Sequence, residues 1–374
     1  MTINTFKIEE YLSKYEFNTP YLLCCSDAES ISMQELLALA DPSDLKLWQN
    51  LHLGYTEVKG SPNLRKTIVN AFYPDLTPDH ILCFSGAEEG IFCTLSILCE
   101  PEDHVIVLTP CYQSLQEIPK HKGCQITAIA LSEQNSWRIE IEIIKQAIKP
   151  NTKCVIINFP HNPTGQIIDK IVLQQLIELL TENKIWLFSD EVYRLLGTTQ
   201  NTNWTGPVVN LYSQGISLGV MSKAFGMAGL RVGWIACRDL TLLKRIEQLK
   251  CYTSICNSAP SEVLSIIALK NKDQILARNN NIVASNLRLL DQFFTKYKQK
   301  FSWVRPSGGC IGFVNYNSAE HEHVENLCNR LVATMGVLLL PASIYDLTSN
   351  HFRIGFGRKN MPEALLKFKE FLEL

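Results

Sequence analysis

A lysine set between Ser222 and Ala224 opens the stretch MSKAFGMAGLRVGW, residues 221–234, and Arg231 follows eight positions after Lys223. Gly226, Gly229 and Gly233 permit tight turns and close backbone approach around the two cations. The apolar run GISLGVM delivers the lysine ammonium, so its pKa is expected to be lowered and its amine suited to imine chemistry with a carbonyl. The other reading of these residues is a lysine at a strand end with its head in water. The rest of the chain has to decide between them.

Polar residues recur where apolar runs end. IWLFSDEVYR (185–194) ends in Asp190, with Tyr193 three residues on, and a carboxylate at the end of a buried strand needs a positive or donating partner. KCVIINFPHNPTG (153–165) breaks into a loop that offers the side-chain amide of Asn162. Ligands in open α/β sheets bind outside such strand ends, although an Asn-Pro pair also favours a plain turn. ILCF (81–84) runs into SGAEEGIFCTLSILCEP, a turn into a buried helix that starts near Ala87 and Glu88. Free N–H groups at such a start form an anion site. VIVLTPCYQS (105–114) reads as a strand ending in Pro110 and Tyr112. Tyr55 stands in a glycine-flanked turn before a helix expected over 62–72, and Arg353 stands beside Gly355 and Gly357 at a strand edge.

These residues require elements that bring distant strand ends together. Short β-rich runs at 81–84, 105–114, 125–130, 153–158, 185–190, 215–220 and 231–237 alternate with helical stretches, the pattern of an α/β sheet with parallel crossovers. The chain turns helical from about 238 to 300 and then alternates strands and helices as a small α+β lobe. The expected organisation is an N-terminal arm over 1–45 joining the small domain, a large domain over 46–270 and a small domain over 271–374. In the arm, Ser30 or Ser32 is placed to cap a helix containing Glu35.

Composition narrows the classes of partner. The 374 residues are 46% hydrophobic with a net charge of −2, so no whole-protein field draws the chain to nucleic acid or anionic lipid. The 13 cysteines are odd in number and lie mostly in apolar runs, which suits buried reduced thiols better than a disulfide frame. His321-Glu322-His323 is a weak metal pattern in a solvated setting, and no metal site is expected. The N-terminus lacks an apolar signal core, no stretch approaches the ~18 apolar residues of a membrane span, and a cytoplasmic protein is expected.

Together these residues supply an amine for an imine, an acid, an anion cup, an aromatic face, donors for a phenolate and arginines. Pyridoxal 5'-phosphate needs that set. In NFPHNPTG, SDEVY and SKAFGMAGLRVGW, in that order, the chain resembles fold type I pyridoxal-phosphate enzymes of the class I/II aminotransferase group. The resemblance implies a large domain with a mostly parallel sheet flanked by helices, and a smaller α+β domain. It implies that Lys223 forms the internal aldimine and shuttles the Cα proton, and that Asp190 keeps the pyridine nitrogen protonated. Asn162 and Tyr193 donate to the phenolate oxygen, and Tyr112 stacks on the ring. Ala87 and Glu88 offer backbone N–H groups to the phosphate, with Ser222 and Arg231 beside them. Arg353, with Asn162 close by, clamps the substrate carboxylate. Tyr55 reaches the phosphate of a neighbouring subunit, which implies a homodimer with shared active sites.

Three features depart from the group's pattern: Glu88 where threonine is common, Val220 where a hydroxyl residue is usual, and CCSDAESIS in place of a glycine-rich N-terminal segment. The bond to Cα that breaks on this cofactor is the one perpendicular to its ring, so an arginine pinning the carboxylate near the ring plane leaves Cα–H to break. The resemblance therefore implies an aminotransferase acting between an α-amino acid and a 2-oxo acid. The same residues serve a lyase or an amino-acid cyclase, and the chain has some likeness to cyclising members such as capreomycidine synthase. A cofactor-binding sensor is a third reading, without the DNA-binding domain that usually accompanies it.

Overall fold

Runs that are apolar throughout, such as ILCF and GISLGV, form strands buried on both faces, as a sheet covered by helices on each side requires. The computed structural model describes residues 3–197, 206–318 and 322–374. Seven strands make the larger sheet: β1 (Ile81–Phe84), β2 (His104–Thr109), β3 (Gln125–Ala130), β4 (Thr152–Asn158), β5 (Trp186–Asp190), β6 (Gly215–Val220) and β7 (Gly233–Cys237), in the order β1-β7-β6-β5-β4-β2-β3. Strands β2 to β6 pair in parallel, whereas β7 runs antiparallel to both β1 and β6. The fold is α/β.

Side chains on β2, β4 and β5 alternate between two cores. On β4, Cys154 and Ile156 enter one core, with Phe188, Leu218 and Ile235. Val155 and Ile157 enter the other, with Leu187 and with Leu173, Leu176 and Leu180 of the helix Lys170–Asn183. Strand β2 is shorter than the run 105–114 suggests and stops at Thr109. Pro110 has no N–H to continue a ladder, so Tyr112 lies in the loop beyond.

A second, antiparallel sheet contains β8 (Phe301–Trp303), β9 (Ile311–Tyr316), β10 (Leu340–Pro341) and β11 (His351–Gly355), in the order β10-β11-β9-β8. The 25-residue helix Lys272–Lys296 precedes it. The N-terminal segment runs along this sheet: Tyr21 N–H donates to Gly336 O, and Gly355 N–H donates to Leu23 O at 2.7 Å. It ends in the helix Met33–Leu37, where Ser32 and Glu35 form a reciprocal cap. Ser61 caps the helix Pro62–Phe72.

The register decides where the strand ends fall. Asn158 lies opposite Asp190, and Asp190 opposite Leu218. Phe84 lies opposite Gly233, and Gly233 opposite Val220. The residues that follow β1, β4, β5 and β6, and those that precede the reversed β7, therefore share one edge. No helix among the described residues is long and apolar enough to cross a membrane. All 13 cysteines are free, most of them buried. His321 lies outside the described residues, which contain no group of metal-ligating side chains.

Candidate active site

One cavity of about 590 Å³ opens at this edge, lined by Ala87, Glu88, Tyr112, Asn162, Asp190, Tyr193, Ser222, Lys223, Arg231 and Arg353 among others. Tyr55 is apart from it, 90% exposed on its loop.

Lys223 is half-buried, and its Nζ donates to Ser26 Oγ at 3.0 Å and stands 5.8 Å from the Tyr193 ring centre. The lowered pKa expected from the apolar run is not found. Burial is the largest single influence and pulls the Lys223 pKa down, but Tyr193 and Asp27 are the main groups opposing it, and the net shift is upward. Both come from other segments of the chain, which is why the run leading to Lys223 gave the wrong direction.

Asp190 is buried at the end of β5, and one carboxylate oxygen accepts the Val192 N–H at 3.2 Å. Its other oxygen has no hydrogen bond among the described residues. Burial pushes the Asp190 pKa up to about 7, against the opposing pulls of that N–H and of Lys223. A buried carboxyl group in this condition gains most from a cationic partner. Burial also pushes the Tyr193 phenol up, opposed by Lys223, Arg353 and Ser26.

At the anion end, the helix Ala87–Leu98 presents first-turn N–H groups that have no carbonyl four residues back within the helix. Gly86 precedes it at φ 95°, and a Cβ there would stand 2.4 Å from Arg231 Nη2, so only glycine lets the guanidinium approach. Arg231 itself adopts φ 52°, a left-handed conformation uncommon for residues with a side chain and concentrated at functional sites. Ser222 is buried beside it on the cavity wall. The Glu88 carboxylate accepts the Ser114 hydroxyl, while its Oε2 is buried without a hydrogen bond. Burial raises its pKa, with Ser114 opposing. Val220 is buried and supplies no donor.

At the opposite end, Arg353 is buried on β11. Its Nη1 donates to Tyr345 Oη at 2.7 Å and Asn162 Oδ1 at 3.2 Å, and its Nε and Nη2 donate to Cys24 O at 3.2 and 2.9 Å. Burial opposes the Arg353 charge, but Tyr345 and Tyr193 hold its pKa above the ordinary value. The Asn162 amide nitrogen makes no hydrogen bond among the described residues and is left to donate into the cavity. Tyr112 is half-buried on the wall, with the Phe6 ring 5.4 Å away.

Sequence reasoning missed several members of this wall. Asn158 donates to Asp190 O at 2.9 Å and accepts Asn162 N–H at 2.9 Å, tying two site loops together. A polar residue ending an apolar strand was its visible signal. Ser26 lies in a segment that carried no assigned role, and Tyr345 had no local signal at all.

The donor set fits pyridoxal phosphate. A buried carboxylate with a free oxygen, an amide donor, an aromatic face, a helix start with a guanidinium and a lysine amine line a single cavity. Comparison with known proteins agrees. Residues 39–367 match the family "Aminotransferase class I and II". Capreomycidine synthase of Streptomyces vinaceus is 25% identical over 370 residues, 98% of this chain and 93% of the relative. An aspartate aminotransferase of Geobacillus stearothermophilus is 26% identical over 318 residues, 82% of this chain and 80% of the relative. The crystal structure of a PLP-dependent aminotransferase from Streptococcus suis superposes with a TM-score of 0.93 at 30% identity, covering 100% of this chain and 98% of that one. The chain belongs to the aminotransferase class I and II family, and pyridoxal 5'-phosphate is its cofactor.

Proposed function

We propose that the protein is an aminotransferase that moves an amino group between an α-amino acid and a 2-oxo acid. The observation that carries this reading is the placement of Arg353, buried and held by three partners, in the same cavity as Lys223 and Asp190. Pyridoxal phosphate, when bound, supplies the aldehyde that condenses with amines and a ring that accepts the electron pair left at Cα. The chain's own residues do the rest. Arg353 binds and orients a carboxylate, Asp190 offers its free oxygen to a protonated ring nitrogen, and Asn162 and Tyr193 offer donors to an oxygen anion. Ala87, Glu88, Ser222 and Arg231 provide the anion cup. Lys223 Nζ takes a proton from Cα and returns it.

A second reading, cyclisation or elimination at an amino acid, is supported by similarity to capreomycidine synthase along nearly the whole chain. Both reactions begin with proton removal at Cα. Single-turnover absorbance with a panel of amino acids, with products identified by mass spectrometry, separates them. Release of a 2-oxo acid with the cofactor left in its amine form supports transamination. A cyclised or dehydrated product with the cofactor regenerated overturns it in favour of the second reading.

The working form in this reading is a homodimer with shared sites. Exposed Leu53, Tyr55, Tyr252 and Ile255 support it, because Thr56 Oγ1 donates to Asn257 O and so joins their two loops into one surface. The free cysteines support a reducing, cytoplasmic setting.

A further inference from the structure

The segment CCSDAES, residues 24–30, forms part of the cavity wall that the roles above leave unused. It is tied down on two sides. The Cys24 carbonyl accepts from Arg353, the Asp27 carboxylate accepts from Arg358 Nη2 at 2.8 and 2.9 Å, and Ala28 N–H donates to the Lys223 carbonyl at 3.1 Å. Glycines let its backbone lie flat against its neighbours. A Cβ at Gly355 would stand 1.9 Å from Cys25 O, and one at Gly357 would stand 2.2 Å from Asp27 O. Between these anchors the half-buried Ser26 hydroxyl faces the cavity and accepts from Lys223 Nζ at 3.0 Å.

A lysine side chain has a flexible four-carbon stem and rotatable donors, so an amine that must meet one Cα–H bond gains from a fixed partner. The strap makes Ser26 that partner, because Cys24, two residues away, holds Arg353. We propose that Ser26 is a positioning residue for proton transfer at Lys223: its hydroxyl holds the free amine in line with the Cα of an amino acid whose carboxylate Arg353 binds. The proposal rests on the reading of Lys223 as the base. In the step, the Cα–H bond breaks, its proton passes to the Lys223 amine, which is neutral once the amino acid's amine has displaced it from the cofactor, and its electron pair passes to the cofactor ring. Ser26 keeps its own proton and accepts an N–H of Lys223 throughout.

The test is exchange of Cα–H in deuterium oxide. The holoenzyme is incubated with the twenty protein amino acids, and loss of each Cα–H signal is followed by proton NMR, which reports proton transfer whichever product follows. The unsubstituted protein is expected to exchange at least one amino acid. Ser26→Ala is expected to exchange it about tenfold more slowly, the effect of one ordinary hydrogen bond, with cofactor affinity and the half-saturating amino-acid concentration within about twofold of the original. Ser26→Thr, which keeps the hydroxyl, is expected to restore the rate. Equal rates for Ser26→Ala and the unsubstituted protein overturn the proposal, as does Ser26→Thr remaining as slow as Ser26→Ala, or a loss of cofactor affinity that accounts for the slowing. No exchange by the unsubstituted holoenzyme removes the reading of Lys223 as base, and the role of Ser26 with it.

Discussion

Arg353 and Asn162, 191 residues apart in the chain, meet at 3.2 Å between Nη1 and Oδ1. The Tyr345 hydroxyl closes the triangle, accepting from Arg353 at 2.7 Å and donating to Asn162 at 2.8 Å. The contact joins β11 of the smaller sheet to the loop after β4 of the larger one. A residue proposed to hold the substrate is thus oriented by one proposed to hold the cofactor.

Removing the third member of that triangle loosens the clamp without removing its charge. Tyr345→Phe is expected to raise KM for the amino acid by roughly three- to tenfold, with a smaller change in kcat, and to lower stability by about 1 kcal/mol. Steady-state kinetics and denaturant unfolding check both.

Lys223→Ala removes the amine proposed both to form the imine and to act as base. Borohydride reduction followed by mass spectrometry is expected to show no covalently attached cofactor, and amino-acid turnover is expected to fall by at least roughly 10³, within the range for losing a general acid–base group. Retained turnover would exclude Lys223 as the base.

The raised Asp190 pKa makes a signed prediction for the cofactor-free protein. With a folded value of about 7 above an unfolded value of about 3.9, the folded state binds more protons between the two. The contribution of Asp190 to stability is therefore full below the lower value and is lost as pH rises through the upper one. Asp190→Asn does not titrate, so its melting temperature is expected to gain on that of the unsubstituted protein between pH 4 and pH 7.5, and its affinity for the cofactor is expected to be weaker. Parallel melting curves for the two proteins across this range would rule out the upward shift. His161, buried with its pKa lowered to about 4, gives the opposite slope in both proteins and cancels in the comparison.

Gly355→Ala tests the seating of the N-terminal strap. The added Cβ meets the Cys25 carbonyl, a backbone atom that cannot rotate away. The substitution is expected to cost about 1–3 kcal/mol of stability and to raise KM, because Cys24 and Ser26 move with the strap. Thermal unfolding and kinetics on the same preparation test the two together.

The proposed sharing of active sites between two subunits predicts complementation. Subunits carrying Tyr55→Ala and subunits carrying Lys223→Ala are each expected to be nearly inactive. Mixed and reassembled, half the dimers are heterodimers with one intact site each, which returns roughly a quarter of the original activity for a symmetric dimer. No recovery from verified heterodimers would place Tyr55 outside the neighbouring site.

The chemistry-bearing residues at strand ends were legible from the chain because their signal is local. Lys223, Asp190 and the Ala87 helix start each lie within three residues of the end of an apolar run, and a parallel sheet gathers such ends on one edge whatever its loops do. The turn glycines and the Ser32 cap were equally local. Tertiary structure alone decided what those residues touch. Burial pulls the Lys223 pKa down as the apolar run suggests, but Tyr193 and Asp27, brought in from other segments, oppose it and the net shift is upward. Ser26 lies 197 residues from Lys223, and Tyr345 lies 183 residues from Asn162. Hydrogen bonds and charge interactions act through space over a few ångströms. Strand periodicity and turn chemistry act along the chain, so they located the site without describing its wall.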